Sequence, residues 1–244
     1  SRTSYGPTVS AFDPARLGVD NPVSATLLVG YTYQHATLGT WGNSSEINPQ
    51  FNQASGASGL VFPFGSDSVL FFGSTGIGIP HYGAGTSDPE LHLQPVPGTN
   101  GQVVYVYDPT SSAKGCHAYP YVAYVWAYRA QDLARAADGS LQPWQVVPYQ
   151  TWQLDLPFGP DGSDRLAGAA YDPATQRLFI SQYNAYHSSA IIHVYEIINL
   201  PPSNAAPVIT PIGDRNVTAG EQLQFTVQGT DSDGDQLQFS ATGE

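Results

Sequence analysis

The sequence repeats itself over the stretch Gly59-Leu-Val-Phe-Pro-Phe-Gly-Ser-Asp-Ser-Val-Leu-Phe-Phe72, which recurs 109 positions later as Gly168-Ala-Ala-Tyr-Asp-Pro-Ala-Thr-Gln-Arg-Leu-Phe-Ile-Ser181. Each copy has the pattern of a strand, a tight turn and a second strand. In the second copy the turn contains Asp172 and Pro173. Proline presets φ for a turn, and aspartate accepts backbone hydrogen bonds there. Internal self-similarity of this kind is typical of repeat architectures.

Further strand patterns surround both copies. They predict four strands at 25–33, 59–64, 68–73 and 121–128, and four more at 149–154, 166–171, 177–182 and 190–197. A second motif, an aromatic residue five positions before a leucine, occurs at Phe12, Tyr128 and Tyr195. Four antiparallel strands per repeat are typical of a β-propeller blade. We therefore predict an all-β fold, a partial β-propeller of about two four-stranded blades, with a single β-sandwich as the alternative.

The composition changes after residue 200. Residues 201–206 are rich in proline and small side chains, which is typical of a linker between domains. The sequence thus predicts a propeller-like region at 1–200, with a long insertion at 74–121, and a second domain at 207–244. Alternating apolar residues predict half-buried strands in the second domain, namely Leu223, Phe225, Val227, Leu237 and Phe239.

The second domain carries the motifs Pro207-Val-Ile209, Ala219-Gly-Glu221, Phe225-Thr-Val227 and Asp231-Ser-Asp-Gly-Asp235. With these motifs it resembles the immunoglobulin-like, cadherin-like repeats of bacterial surface proteins. Such sandwiches take ~100 residues, so the resemblance implies that only the start of one is present.

Residues 1–200 contain Lys114-Gly-Cys-His-Ala-Tyr-Pro-Tyr121, Val125-Trp-Ala-Tyr128 and Ala169-Ala-Tyr-Asp-Pro173. With these motifs the region resembles a group of bacterial secreted β-propeller-like proteins that have no assigned activity. The resemblance implies fold and location only. We expect the chain to be the C-terminal part of such a protein, secreted or attached to the cell surface.

Composition excludes some partners. The net charge is −12, with only 8 Lys and Arg residues, so the chain lacks the clustered cations that nucleic acids and anionic membranes require. Charged residues make up 11%, well below the usual ~25%, which suits an extracellular protein. Cys116 is the single cysteine and cannot form an internal disulfide. No apolar run reaches the ~18 residues of a membrane span.

An acidic run in the second domain predicts a cation site. Asp231, Asp233 and Asp235 alternate around a glycine, and Ca²⁺ prefers several hard oxygen ligands of this kind. The resembling repeats often use such residues for calcium. The alternative is a polar hairpin turn, since Asp-Gly is a common turn pair.

The long insertion is the most promising functional surface, because long loops on rigid scaffolds often carry function. The ligand-binding candidates are Trp41, in a loop-like context outside the insertion, and five residues within it: His81, Tyr82, Asp88, His117 and Tyr119. Aromatic rings can stack on the apolar faces of sugars. The spacings of His81, His92 and His117 match no metal-binding signature, which favours hydrogen-bonded histidines.

These features favour an extracellular or cell-surface binding or structural protein, with a carbohydrate or a matrix component as its ligand. One alternative is a polysaccharide hydrolase or lyase with its site on the propeller loops. No Gly-x-Ser-x-Gly motif is present to support an enzyme. Another alternative is a subunit of an extracellular assembly, in which neighbouring chains complete the open strand edges.

Overall fold

The computed structural model describes residues 6–32, 34–35, 39–40, 51–157, 165–186, 189–198, 207–231 and 237–241. The chain divides into two compact units, Ser1–Ile198 and Asn199–Glu244. In the described ranges, no helix has the length and apolar character that crossing a membrane requires.

The fold is all-β, as the sequence predicts. Its strands are β1 Val9–Phe12, β2 Ala25–Val29, β3 Gln34–His35, β4 Gly39–Thr40, β5 Gly56–Val61, β6 Ser68–Gly76, β7 His81–Thr86, β8 Tyr105–Tyr107, β9 Lys114–His117, β10 Tyr121–Arg129, β11 Gln150–Gln153, β12 Arg165–Asp172, β13 Arg177–Tyr186, β14 Ser189–Glu196, β15 Val208–Ile209 and β16 Gly229–Thr230. The helical elements described are α1 Ala130–Ala137 and the 3-10 turns Pro14–Arg16 and Pro89–Leu91.

Two antiparallel meanders form the main part of the first unit. The first meander has the sheet order β11-β10-β6-β5, and the second has β12-β13-β14. Each of the eight strand positions predicted in this unit contains a strand, but two strands were assigned to the wrong sheet. The strand at 25–33 pairs with β1, and the strand at 149–154 pairs with β10. Side-chain alternation locates a strand but does not specify its hydrogen-bonded neighbour.

The two meanders have the same strand register. In the first, Gly59 pairs with Phe72. In the second, Gly168 pairs with Ser181, and each residue of this pair lies 109 positions after its counterpart. Both ladders also contain an irregularity just before the glycine, between Ala57 and Gly59 and between Leu166 and Gly168. The sequence repeat is therefore a repeat of strand pairing and of a β-bulge.

The third strands of the meanders are equivalent as well. Val69 pairs with Tyr128 in the first meander. Leu178 pairs with Tyr195 in the second. The aromatic motif thus occupies the same position in each third strand, as the sequence match between the two tyrosines predicts.

The first meander has two apolar faces, each covered by a different layer. Its front face carries Val69, Phe71 and Tyr128, which pack with β2, α1 and Phe51 in a first core. The stacked rings of Phe51 and Trp126, with centroids 5.1 Å apart, lie in this core. Its back face carries Leu70, Phe72 and Val125, which belong to a second core shared with the second meander.

The front face of the second meander covers the back face of the first meander. Leu178, Ile180 and Tyr195 lie in the second core, and these are the counterparts of the front-face residues of the first meander. The sheets are therefore stacked front to back. In a two-sheet sandwich both sheets turn their inner faces toward each other.

A third sheet is inserted between β6 and β10. Gly76 at the end of β6 pairs with Tyr121 at the start of β10, so the insertion is residues 77–120. Within it, β7 pairs with β8 in parallel and with β9 in antiparallel orientation. Gly83 and Gly85 have no room for a Cβ atom, because it would overlap the carbonyl oxygen of Val104 or of Ser111, respectively.

In the second unit, β15 and β16 form a two-stranded antiparallel sheet. The strands predicted from Leu223, Phe225 and Val227, and from Leu237 and Phe239, do not form in the described residues. A strand requires a hydrogen-bonded neighbour, and in the described part of this unit only β15 and β16 have one. The exposed side chains of Phe225, Val227 and Phe239 are among those that line an open cavity of about 740 Å³.

Gly59 and Gly168 allow a matched test of the stacking. A Cβ atom on Gly59 would lie 2.5 Å from the backbone nitrogen of Ala169, whereas Gly168 has open space around that position. We expect Gly59→Ala to lower the free energy of unfolding by about 1–3 kcal/mol, because β12 must move away. Gly168→Ala should change it much less. Urea denaturation of both variants measures the difference, and equal stability would contradict the front-to-back contact.

Candidate functional site

The inserted sheet carries a pocket of about 330 Å³, lined by Ile79, His81, Pro89, His92, Val106, Tyr107 and Tyr119. The lining combines two imidazole and two phenol rings with three aliphatic side chains. Ligand pockets usually range from ~300 to 1,000 Å³ and combine apolar walls with a few polar groups. This pocket lies at the lower end of that range, which suits one small ring.

Each polar residue of the pocket comes from a different part of the insertion. His81 begins β7, Tyr107 ends β8, and Tyr119 follows β9. His92 ends the 3-10 turn Pro89–Leu91, and its backbone N–H donates to the carbonyl of Pro89. The parallel pairing of β7 with β8 brings these segments together although they are distant in sequence.

Asp88 fixes the turn that carries His92. Its Oδ1 accepts a hydrogen bond of 2.9 Å from the backbone N–H of Glu90, which caps the turn. The carboxylate is exposed and does not line the pocket. Asp88 therefore positions a pocket residue from outside.

The two histidines lie edge to face, with ring centroids 5.5 Å apart. Nδ1 of His92 accepts a 3.0 Å hydrogen bond from the backbone N–H of Tyr107, so in the neutral ring the proton is on Nε2. Burial lowers the pKa of His81, and the neighbouring His92 lowers it further. His81 is thus a neutral imidazole at pH 7, able to donate from one nitrogen and accept at the other.

A buried polar network supports the sheet behind the pocket. Oδ2 of Asp108 lies 2.6 Å from Nδ1 of His117 and accepts a 2.8 Å hydrogen bond from the Tyr121 hydroxyl. Oδ1 accepts from the backbone N–H and the hydroxyl of Thr110. Nε2 of His117 lies 2.9 Å from the carbonyl oxygen of Ala113. Because the carbonyl can only accept, Nε2 must donate, and Nδ1 can donate to the carboxylate only if the imidazole is protonated.

The network determines the ionisation of its members. Burial alone would raise the pKa of Asp108, but the hydrogen bonds from Thr110, His117 and Tyr121 together lower it. Burial and the hydrogen bond to Asp108 both raise the pKa of Tyr121. Asp108 is therefore an ionised carboxylate. Its hydrogen bond with Tyr121, a residue of β10, connects the insertion to the first meander.

The sequence-predicted ligand residues have different locations. His81 and Tyr119 line the pocket. Tyr82 is half exposed on β7 and is not part of the lining. His117 is buried, with both ring nitrogens hydrogen-bonded. Trp41 lies outside the described residues.

Sequence reasoning missed Tyr107 as a pocket residue and the pairing of Asp108 with His117. The alternation Tyr105-Val-Tyr107 is a signal for a short strand with tyrosines on one face. No comparable signal pairs an aspartate with a histidine nine positions later. That contact depends on the turn between β8 and β9.

The described residues contain no group of three histidines, cysteines or carboxylates arranged to hold a metal ion. Of the predicted calcium ligands, Asp231 follows β16, while Asp233 and Asp235 lie outside the described residues. Alternating carboxylates fit the preference of Ca²⁺ for hard oxygen donors. The calcium site stays a prediction.

Comparison with protein-family models, with curated proteins and with solved structures gave no significant match.

Replacing Asp108 tests the buried network. We expect Asp108→Asn to lower the free energy of unfolding by about 3 kcal/mol at pH 7, because the buried groups of Thr110, His117 and Tyr121 lose their ionised hydrogen-bond partner. The folded-state pKa of Asp108 is lowered, so its stabilising contribution is present above the ordinary value of 3.8 and is lost as the pH falls through the folded-state value. The difference in unfolding free energy between the wild type and the variant should therefore become smaller in acid.

Denaturant unfolding across this pH range measures the effect of Asp108→Asn. Asp88→Asn is the matched control, since asparagine caps a helical turn as well as aspartate does. If the difference in unfolding free energy between the wild type and Asp108→Asn stays constant down to the lowest pH, the ionised state assigned to Asp108 is wrong.

The His81 ring should titrate below its ordinary pKa of 6.5, with a midpoint that NMR of the ring protons measures. His92→Asn should raise this midpoint part of the way, because it removes the second imidazole while its side-chain oxygen can still accept from Tyr107. A midpoint at or above 6.5 in the wild type would contradict the description of the pocket.

Proposed function

We propose that this chain is an extracellular binding module that holds a sugar ring of a polysaccharide in the pocket of the inserted sheet. The observation that carries the proposal is the composition of the pocket, which combines two imidazoles and two phenols with aliphatic side chains. Rings and aliphatic walls can contact the apolar face of a sugar. Neutral imidazole and phenol groups can hydrogen-bond its hydroxyls.

The absence of carboxylates from this lining favours binding over glycoside hydrolysis. Most hydrolases place two carboxyl groups on either side of the scissile bond. No Asp or Glu is among the described residues that line the pocket. The nearby Asp108 is buried and accepts four hydrogen bonds, so it is unsuited to act on a ligand.

A lyase is the second candidate, favoured by the state of His81. A neutral imidazole can remove a proton, and the phenol of Tyr119 in the same pocket can supply one to a leaving group. Elimination in a uronic-acid polysaccharide needs these two transfers. It also needs the substrate carboxylate to be neutralised, and no lysine or arginine is among the described lining residues.

The scaffold of the module is proposed to be a row of propeller blades. Equivalent registers, equivalent bulges and front-to-back stacking all support consecutive blades. The second unit is proposed to begin an immunoglobulin-like surface repeat with a calcium site. The low charge density and the resemblance to secreted proteins support an extracellular location.

The test is binding to immobilised neutral and uronic-acid polysaccharides. We expect His81→Ala and Tyr119→Leu each to weaken binding about tenfold, the equivalent of about 1.4 kcal/mol. Tyr82→Ala is the control, because this half-exposed tyrosine is on the same strand as His81 but outside the lining. Circular dichroism verifies the fold of each variant.

Failure of the whole panel to bind, or equal binding by the pocket variants, would contradict the proposal. An unsaturated uronate product, detected by its ultraviolet absorbance, would show that the chain is a lyase and not a binding module.

A further inference from the structure

We propose that the pocket of the inserted sheet selects an uncharged sugar that carries an acetamido group. The inference rests on the sugar-binding function proposed above and adds the class of sugar. Three properties of the pocket carry it. The lining is uncharged, one of its histidines is fixed as a hydrogen-bond donor, and aliphatic side chains belong to the same lining.

The lining offers no charge to a charged sugar. No Asp, Glu, Lys or Arg is among the described residues that line the pocket. Asp88 and Glu90 belong to the turn before His92 but lie outside the lining. The pocket therefore has no counter-charge for the carboxylate of a uronic acid or for the ammonium group of an amino sugar. The net charge of −12 further disfavours anionic sugars.

His92 supplies a hydrogen-bond donor in a fixed orientation. The backbone N–H of Tyr107 can only donate, so Nδ1 of His92 accepts this hydrogen bond of 3.0 Å and the proton of the neutral ring is on Nε2. Among the described residues, this is the one hydrogen bond that the His92 side chain makes. Its Nε2–H therefore remains available to a ligand in the pocket.

A group that can only donate suits a carbonyl oxygen. A sugar hydroxyl can donate or accept, so it satisfies groups of either kind. The carbonyl oxygen of an acetamido group only accepts, which matches the Nε2–H of His92. The amide N–H of the same group only donates, and it needs an acceptor. The neutral ring of His81, with its centroid 5.5 Å from that of His92, has one accepting nitrogen.

The aliphatic side chains suit the methyl group of an acetamido substituent. Ile79, Pro89 and Val106 belong to the same lining as the two histidines, and Ile79 is 46% exposed. Removing a methyl group from water against such side chains is favourable. A hydroxyl in place of the acetamido group would give them less apolar contact. The lining thus favours the acetylated sugar by its apolar and by its polar groups.

The test compares two oligosaccharides of the same linkage and length, one built from N-acetylglucosamine and one from glucose. They differ only in the acetamido group, which is a hydroxyl in glucose. Calorimetric titration of the full chain at pH 7 measures the Kd of each. We expect the acetylated oligosaccharide to bind at least about tenfold more tightly, because a hydrogen bond to a fixed donor and a buried methyl group both favour it.

Two variants separate these contributions. His92→Asn keeps an acceptor for the Tyr107 N–H but lacks the Nε2–H donor, and Ile79→Ala removes apolar contact. Each should weaken binding of the acetylated oligosaccharide more than that of the other, so that the preference falls to about threefold or less. Tyr82→Ala, outside the lining, is the control and should keep the full preference. The preference is a ratio measured on one protein, so the folded fraction of a variant does not alter it.

Equal affinity for the two oligosaccharides would overturn the inference, and the proposed function would stand if His81→Ala weakens the binding of both. A full preference in both His92→Asn and Ile79→Ala would overturn it too, because the acetamido group would then be recognised elsewhere. Binding of neither oligosaccharide would overturn it as well. The panel of polysaccharides described above then decides whether the proposed function also fails.

Discussion

The close approach of β12 to Gly59 sets the distance between the two meanders. A side chain at that position would overlap the backbone of Ala169, so the strand can lie this close only because the residue is glycine. The contact lets Phe72 and Val125 reach Leu178 and Ile180 across the second core. Interiors pack at crystal-like density, so the remaining side chains of this core depend on that spacing.

Much of the first unit can be predicted from the repeat. The offset of 109 positions locates β5, β6, β12 and β13, and the match between Tyr128 and Tyr195 aligns β10 with β14. Strand neighbours are less predictable. The pairing of β11 with β10 depends on the path of the chain through α1, and alternation along 149–154 carries no information about it. In the second unit, the alternation at Leu223, Phe225 and Val227 predicts a strand that has no partner in the described residues.

The site is predictable in its location and less so in its detail. A long insertion with several histidines and tyrosines marks the region, and His81 and Tyr119 do line one pocket. The role of His117 could not be foreseen, because its burial depends on the position of Asp108 in the folded insertion. A histidine with both nitrogens hydrogen-bonded inside the protein has the same sequence signature as one that faces a ligand.

The insertion leaves the first meander and returns to it at paired residues, Gly76 and Tyr121. In the second meander, Tyr186 and Ser189 are paired in the same way, with only residues 187 and 188 between them. The two repeats thus present a long and a short form of one connection. A connection of either length can therefore join the second and third strands without altering the ladder on either side, because both of its ends are held by the same strand pairing.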